Sequence, residues 1–343
     1  MKRRVFGFKC VAVSLFSSLF CLYFAPNYVT KVSAEEIARG KAECVIELSS
    51  GRILYEYNGD TRLPMASTTK ILTAITVIES LEDLSTRITI PEQAVGIEGS
   101  SVYLKAGDIY TIKELLYGLM LRSGNDCAVA LALYTSGSIE EFAVKMNAVA
   151  QQAGALESRF ANPHGLPCEN HYTTARDLSL ITRYAMQNPV FQEIVSCKYF
   201  EGRHWKNKNK LLFTYDEAIG VKTGYTKQAG RCLVSAAKKG DMTLICCVLN
   251  CAPMYERSKM LLEDAFSTYK LTPLITAGTK FTIGKEKGIA KENFCYPLAD
   301  GEEEQLEIHT TPLKNGTEKS KILGQFAIYL SKRLLFSGNL YTL

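Results

Sequence analysis

Two strand-like stretches lie far apart in the sequence and frame a helical middle, an arrangement that leaves few folds open. Residues 42–57 alternate apolar and polar around Ser49-Ser50-Gly51-Arg52, the pattern of a β-hairpin. Residues 229–238 and 242–250 form a second pair of apolar runs, joined by the turn sequence Lys238-Lys239-Gly240-Asp241. Between them the spacing predicts helices. One runs from Ser67 to about Leu81, where Ile71, Leu72, Ile75, Val77 and Ile78 recur on the helical period. Others are expected at about 112–121, 125–134, 139–153 and 174–187, and a last one from about Met254 to Tyr269. Strands at both ends with helices between imply one mixed antiparallel sheet built from distant parts of the chain, in an α+β fold.

After Tyr269 the character changes. Pro273, Gly278, Gly284, Gly288 and the acidic run Glu302 to Glu304 punctuate short alternating segments, and Phe326 to Leu330 with Arg333 to Leu340 read as a hairpin. This is a small all-β module. With 343 residues, enough for about two domains, the expected organisation is an export leader at 1–34, a main domain at 35–270 and an all-β domain at 271–343.

The leader is read from charge and hydropathy together. Lys2, Arg3 and Arg4 precede an apolar run from Cys10 to Ala25, and Val32, Ser33 and Ala34 offer small residues for cleavage before Glu35. The run is shorter than the roughly 20 residues that a spanning helix needs, so a cleaved signal is expected rather than an anchor. Five of the chain's 40 Lys and Arg (2, 3, 4, 9 and 31) lie in this leader with no acid beside them; the rest match the 35 Asp and Glu in number. Without a surplus of positive charge, a nucleic-acid partner loses its main electrostatic support. The protein is therefore expected to work outside the cytoplasmic membrane. Of eleven cysteines, Cys10 and Cys21 belong to the leader. The other nine show neither a CxxC pair nor zinc-site spacing, and several sit in apolar runs such as Leu244 to Leu249, so they are expected to be free thiols used as small hydrophobes.

Three short motifs carry the chemistry: Ser67-Thr68-Thr69-Lys70, Ser123-Gly124-Asn125 and Lys222-Thr223-Gly224. In the first, a Ser at a helix start and a Lys three residues later share one face, so the amine can approach the hydroxyl. A serine hydroxyl needs a neighbouring base, and burial, the helix start and a second cation, for which Lys222 is the candidate, would each favour a neutral lysine. In the second, a loop between two helices can present Ser123 to relay a proton and Asn125 to hold both Lys70 and substrate. In the third, on a strand edge over Val221 to Tyr225, Lys222 and Thr223 can hold a carboxylate and Gly224 lets a ligand approach the backbone. Each motif alone is common. Their order, with separations of 56 and 99 residues, is not.

The chain resembles the D-alanyl-D-alanine carboxypeptidases, the low-molecular-mass penicillin-binding serine peptidases. Beyond the three motifs the likeness includes Pro64-Met65-Ala66, Arg122 and Asp126, Asn162-Pro163-His164-Gly165-Leu166, Thr173 to Leu178, Asn207-x-Asn209-x-Leu211-Leu212 and Gly220 to Thr226. The resemblance implies a β-lactamase/transpeptidase-like domain, an antiparallel sheet with helices on both faces, followed by a small all-β sandwich. It implies that Ser67 attacks the bond between the two terminal D-alanines of a peptidoglycan pentapeptide, with Lys70 and Ser123 moving protons. It also implies that Asn125, Lys222, Thr223, Gly224 and Tyr225 bind substrate, and that the backbone N–H groups of Ser67 and Tyr225 form the oxyanion hole. β-Lactams would be covalent inhibitors, and neither metal nor organic cofactor is called for. The amphipathic membrane-binding helix that such proteins commonly carry after the β module is not readable before Leu343, which leaves membrane attachment open.

Two rival readings share these motifs. A serine β-lactamase would need a deacylating carboxylate, and no ExxxN loop follows the second motif: Glu157 is followed four residues on by Ala161, and Glu193 by Cys197. A penicillin-sensing module without turnover is opposed by the intact Ser67, Lys70, Ser123 and Lys222. Among lesser features, His164 is expected to be a structural loop residue, Cys127 and Cys168 to be inert, and Arg203-His204-Trp205-Lys206-Asn207-Lys208 to be a solvated basic loop.

Overall fold

A computed structural model describes residues 37–283, 286–313 and 322–342, so the leader and its cleavage position lie outside the described residues. The chain from Ile37 onward packs as one unit. Strands β1 (Ala42–Glu47) and β2 (Ile53–Tyr57) form the first hairpin. A single 3-10 turn, Ala66–Thr69, leads into α1 (Lys70–Ser80), and short β3 (Arg87–Thr89) pairs with β4 (Ile109–Thr111). The helical middle continues with α2 (Ile112–Tyr117), α3 (Asn125–Ser136), α4 (Ile139–Gln152), α5 (Ala175–Ala185) and α6 (Pro189–Ser196). A two-residue pair, β5 (Tyr199–Phe200) with β6 (Trp205–Lys206), and the turn α7 (Leu211–Thr214) precede β7 (Ala218–Thr226), β8 (Gly230–Lys239), β9 (Met242–Leu249) and α8 (Met254–Thr268). The rest is β10 (Tyr269–Ile275), β11 (Lys280–Ile283), β12 (Glu286–Ala290), β13 (Phe294–Ala299), β14 (Leu306–Pro312), β15 (Ile322–Leu330) and β16 (Arg333–Thr342).

Helix starts follow side-chain chemistry. Thr111 and Glu114 make a reciprocal capping box on α2, and Ser138, Thr174 and Asn188 cap α4, α5 and α6. Helix α6 escapes periodicity because it has only eight residues, yet the Asn188-Pro189 pair that opens it is an ordinary start signal.

The sheet joins the two ends of the main region as expected, in the order β2-β1-β9-β8-β7 with every pairing antiparallel. Because strand side chains alternate, it feeds two cores. Cys44, Ile46, Val234, Ala236, Ile245 and Cys247 pack under α1, α3 and α5 on one face. Val45, Leu233, Leu244, Cys246 and Val248 meet Leu261, Leu262 and Ala265 of α8 on the other. This double burial explains why β9 is apolar throughout rather than alternating. A buried ion pair, Arg257 to Glu43 at 2.7 Å, ties α8 to β1, and Tyr55 and the Gly40 N–H satisfy further lone pairs of the carboxylate. Strand β7 forms the open edge of the sheet.

Beyond α8 a five-stranded sheet, β11-β12-β16-β15-β14, packs against the β10-β13 pair around Ile275, Phe326, Ile328 and Leu340, with Phe294 stacked on Phe336. The expected terminal hairpin is β15–β16, and Ser331 and Lys332 turn it with left-handed φ values of 48° and 69°. Arg52 fastens this region to the first hairpin. Its guanidinium forks onto Glu302 at 2.6 and 2.7 Å, donates to the Pro297 carbonyl, and lies over the rings of Tyr269 and Tyr296.

Six of the nine cysteines (44, 127, 232, 246, 247 and 251) are buried, Cys197 and Cys295 are partly so, and Cys168 is exposed. The expectation of inert packing therefore fails for Cys168, which rides on a surface loop where no apolar neighbours enclose it.

Candidate active site

The three motifs converge on the edge of the sheet. Ser67 sits on the 3-10 turn, one turn before the start of α1, so Lys70 follows it on the same face, and its amine lies 3.0 Å from the Ser67 hydroxyl. Ala66 enters this turn at φ +50°, a left-handed value that alanine avoids and that the surroundings hold in place. Gly165 is one reason: a β-carbon there would stand 2.0 Å from the Ala66 carbonyl oxygen, so only glycine lets the 163–165 loop close over the turn.

That loop and the second motif supply the other partners of Lys70. Its Nζ donates to the Asn125 side-chain carbonyl at 2.6 Å and to the His164 backbone carbonyl at 2.7 Å. Both oxygens can only accept, so both claim an N–H of the amine. The remaining tetrahedral position faces Ser67. Burial, and then the charge of Lys222, lower the Lys70 pKa well below its ordinary value. In the neutral amine that remaining position is a lone pair, aimed at the serine proton. The arrangement thus suits a neutral Lys70 to take a proton from Ser67. His164 acts through its backbone, and burial followed by the nearby Lys70 charge keeps its ring neutral, with a pKa lowered to about 3.

The second motif owes its position to a five-residue π turn, Gly118–Arg122, which leaves Ser123 in a left-handed conformation at φ 65° beside the cleft. Asn125 and Asp126, at the start of α3, then clamp the 98–104 loop. Asn125 donates to the Glu98 carbonyl, and the Ser100 carbonyl accepts from the Asn125 N–H at 2.7 Å. The buried Asp126 carboxylate accepts from the N–H groups of Val102 and Leu104 at 3.0 and 3.1 Å. Asp126 entered the sequence reading only as a flanking residue; its part is to hold residues 101–104, while the Asn125 N–H holds Ser100 at the cleft wall.

In the third motif Thr223 and Gly224 line the cleft, and Lys222 lies beneath it, 2 % exposed, donating to the Thr223 carbonyl at 2.9 Å. Burial, then the charge of Lys208, lowers its pKa to about 7. The part assigned to Gly224 changes. A β-carbon there would meet Met65 O at 2.9 Å, Ser67 N at 3.0 Å and Thr68 N at 3.1 Å, so the glycine admits the nucleophile turn, not only a ligand. The same closeness sets the backbone of Ser67 beside that of β7.

The cleft, about 250 Å³, is walled by Ser67, Ser100, Ser123, Thr223, Tyr225 and Tyr255, with Lys208 and Arg231 supplying its charge. Lys208 corrects the reading of 203–208 as a solvated loop. Asn207 and Asn209 are buried, Arg203 bonds Glu114 and stacks on Tyr110, Trp205 packs beside Phe200, and Lys208 reaches the Ser100 hydroxyl at 3.2 Å. Arg231 was missed because nothing in the β8 sequence marks which of its rungs faces the open edge.

Comparison with known proteins agrees with this geometry. A sequence profile described as D-alanyl-D-alanine carboxypeptidase matches residues 28–252. The chain is 34% identical to the D-alanyl-D-alanine carboxypeptidase DacF of Bacillus subtilis, over 80% of this chain and 77% of that one. It is 34% identical to DacC of Escherichia coli over 75% and 69%. Among solved structures, penicillin binding protein 5 from Haemophilus influenzae superposes with a TM-score of 0.75 at 28% identity, covering 88% of this chain and 96% of that one. With these relatives across most of its length, the chain belongs to the D-alanyl-D-alanine carboxypeptidase family of serine peptidases.

Proposed function

We propose that the protein removes the terminal D-alanine from peptidoglycan stem peptides through an acyl-enzyme on Ser67. The observation that carries this reading is the buried Lys70 amine, 3.0 Å from the Ser67 hydroxyl and with two of its hydrogens committed to acceptors that cannot donate back. In the proposed sequence Ser67 attacks the penultimate carbonyl while Lys70 takes its proton. The oxyanion rests on the N–H groups of Ser67 and Tyr225, a contribution of about 3 kcal/mol for a single donor. Ser123 delivers the proton to the departing D-alanine, whose carboxylate is held by Thr223 and, while protonated, Lys222. Water then attacks the acyl carbonyl, with Lys70 as its base. Penicillins, which carry a carboxylate beside an acylating amide, enter the same site as covalent inhibitors. Work on a wall peptide places the enzyme outside the cytoplasmic membrane.

The test uses residues 35–343 and a peptide ending in D-Ala-D-Ala. Release of D-alanine by the wild type and its loss in Ser67→Ala is the expected result. Absence of release and of penicillin labelling in the wild type would sink the proposal.

A further inference from the structure

The cleft holds a cation for which the reaction as proposed has no use. The proposed reaction meets the terminal carboxylate with Thr223 and Lys222, and Lys208 is engaged by the Ser100 hydroxyl at 3.2 Å, yet Arg231 also lines the cleft, exposed, with its guanidinium 5.9 Å from the centre of the Tyr225 ring. Among the described residues no side-chain carboxylate lines the cleft. Glu256 faces the neighbouring cavity with Lys210 and Lys259.

The register says which part of a substrate Arg231 would meet, given the carboxypeptidase reading on which this inference rests. The terminal carboxylate lies at Thr223 and the scissile carbonyl at the N–H of Tyr225, so the peptide runs along β7 with its amino-terminal side toward Thr226. The residue before the two D-alanines is then about 3.4 Å further on, at the level of Tyr225 and Thr226. Their partners on β8 are Arg231 and Gly230. Gly230 has no side chain, which leaves Arg231 as the β8 side chain at this level. Its backbone is fixed on both sides, by the rung to Tyr225 and by the Cys251 N–H bonded to its carbonyl at 2.8 Å.

We infer that Arg231 is a specificity-determining residue that selects stem peptides whose third residue carries a free side-chain carboxylate, over those ending there in an amine or an amide. A guanidinium offers a planar fork that a carboxylate fills and an amide does not. At a cleft open to water, the preference should be roughly five- to ten-fold in kcat/KM.

Two peptides ending in D-Ala-D-Ala decide it, identical except that the third residue is diaminopimelate with its distal carboxylate free in one and amidated in the other. The readout is the ratio of their kcat/KM values for D-alanine release, in wild type, Arg231→Gln and Arg231→Lys. The expected ratio is five to ten in wild type, near one in Arg231→Gln and intermediate in Arg231→Lys, and the wild-type ratio should shrink as salt is raised. A wild-type ratio of one, or a ratio unchanged in Arg231→Gln, overturns the inference and leaves the carboxypeptidase reading standing. Failure to release D-alanine from either peptide overturns both. Equal penicillin-labelled fractions in the three proteins show that each is folded.

Discussion

Replacing Gly224 by alanine separates two explanations of why the third motif ends in glycine. If the glycine serves only to let a ligand near the backbone, the added methyl obstructs substrate and leaves the free protein alone. The structure argues otherwise, because the new carbon would stand 2.9 Å from Met65 O, 3.0 Å from Ser67 N and 3.1 Å from Thr68 N, all of them backbone atoms. Either β7 or the turn carrying Ser67 must retreat. Overpacking of this kind costs about 1–3 kcal/mol, which lowers the melting temperature by roughly 3–10 °C for a domain of this size. The retreat would also part the N–H groups of Ser67 and Tyr225 that the proposed mechanism sets against the oxyanion. Misplacing one such donor costs about a hundredfold or more in the chemical step. The assay is a thermal melt of the free protein together with the second-order rate of penicillin acylation. Both should fall in Gly224→Ala. A melting temperature equal to that of the wild type, with a raised KM as the only change, would refute the reasoning.

Three further outcomes follow from the site and its surroundings. Lys70 is useful when neutral, so kcat/KM should rise with pH through its lowered pKa; Lys222, titrating near 7, is charged only below that value, so carboxylate binding should weaken above it. The profile is a bell whose alkaline limb lies at higher pH in kcat than in kcat/KM, because bound carboxylate favours charged Lys222; a kcat/KM still climbing at pH 9 would contradict this. Both lysines bind protons more weakly in the folded chain than in the unfolded one, where the ordinary value is 10.5, so the urea midpoint should increase from pH 7 towards 8; nearer pH 9 the buried thiols, whose pKa values burial raises, oppose the trend. For the thiols, a brief treatment of the native, unreduced protein with iodoacetamide should modify Cys168 first, with the six buried cysteines reacting only after denaturation. Mass mapping that finds Cys127 or Cys246 modified before Cys168 would show the burial pattern to be wrong.

The sequence made the sheet legible because its strands are bounded by turn residues and its helices are long and periodic. The proposed nucleophile and base were legible for a local reason: Ser67 and Lys70 are one turn apart, so a helix alone brings them together. What sequence could not show depends on contacts across the fold. Lys222 reads as a cation in the open cleft, but β7 seats it just beneath, while Lys208, an unspecified position inside the 207–212 run, and Arg231, in a strand with no motif of its own, line the opening. The turn that aims Ser123 is a π turn, whose extra residue leaves no mark in the apolar spacing of 112–121. Gly165 and Asp126 do their work on residues far along the chain, Ala66 and the 98–104 loop, so their neighbours in sequence say little about them.

The pairing of β1 with β9 also bears on when the protein becomes an enzyme. A chain made from its amino terminus displays Ser67 and Lys70 early, but β1, beyond its hairpin with β2, meets β9 only when residues 244–249 arrive. Until then β7 has no sheet to edge, Gly224 is not seated against the serine turn, and neither the burial nor the Lys222 charge that lowers the Lys70 pKa is in place. On the proposed mechanism a partly made chain therefore carries Ser67 without the surroundings that make it reactive, and the competence to acylate waits for the last strands to close the sheet.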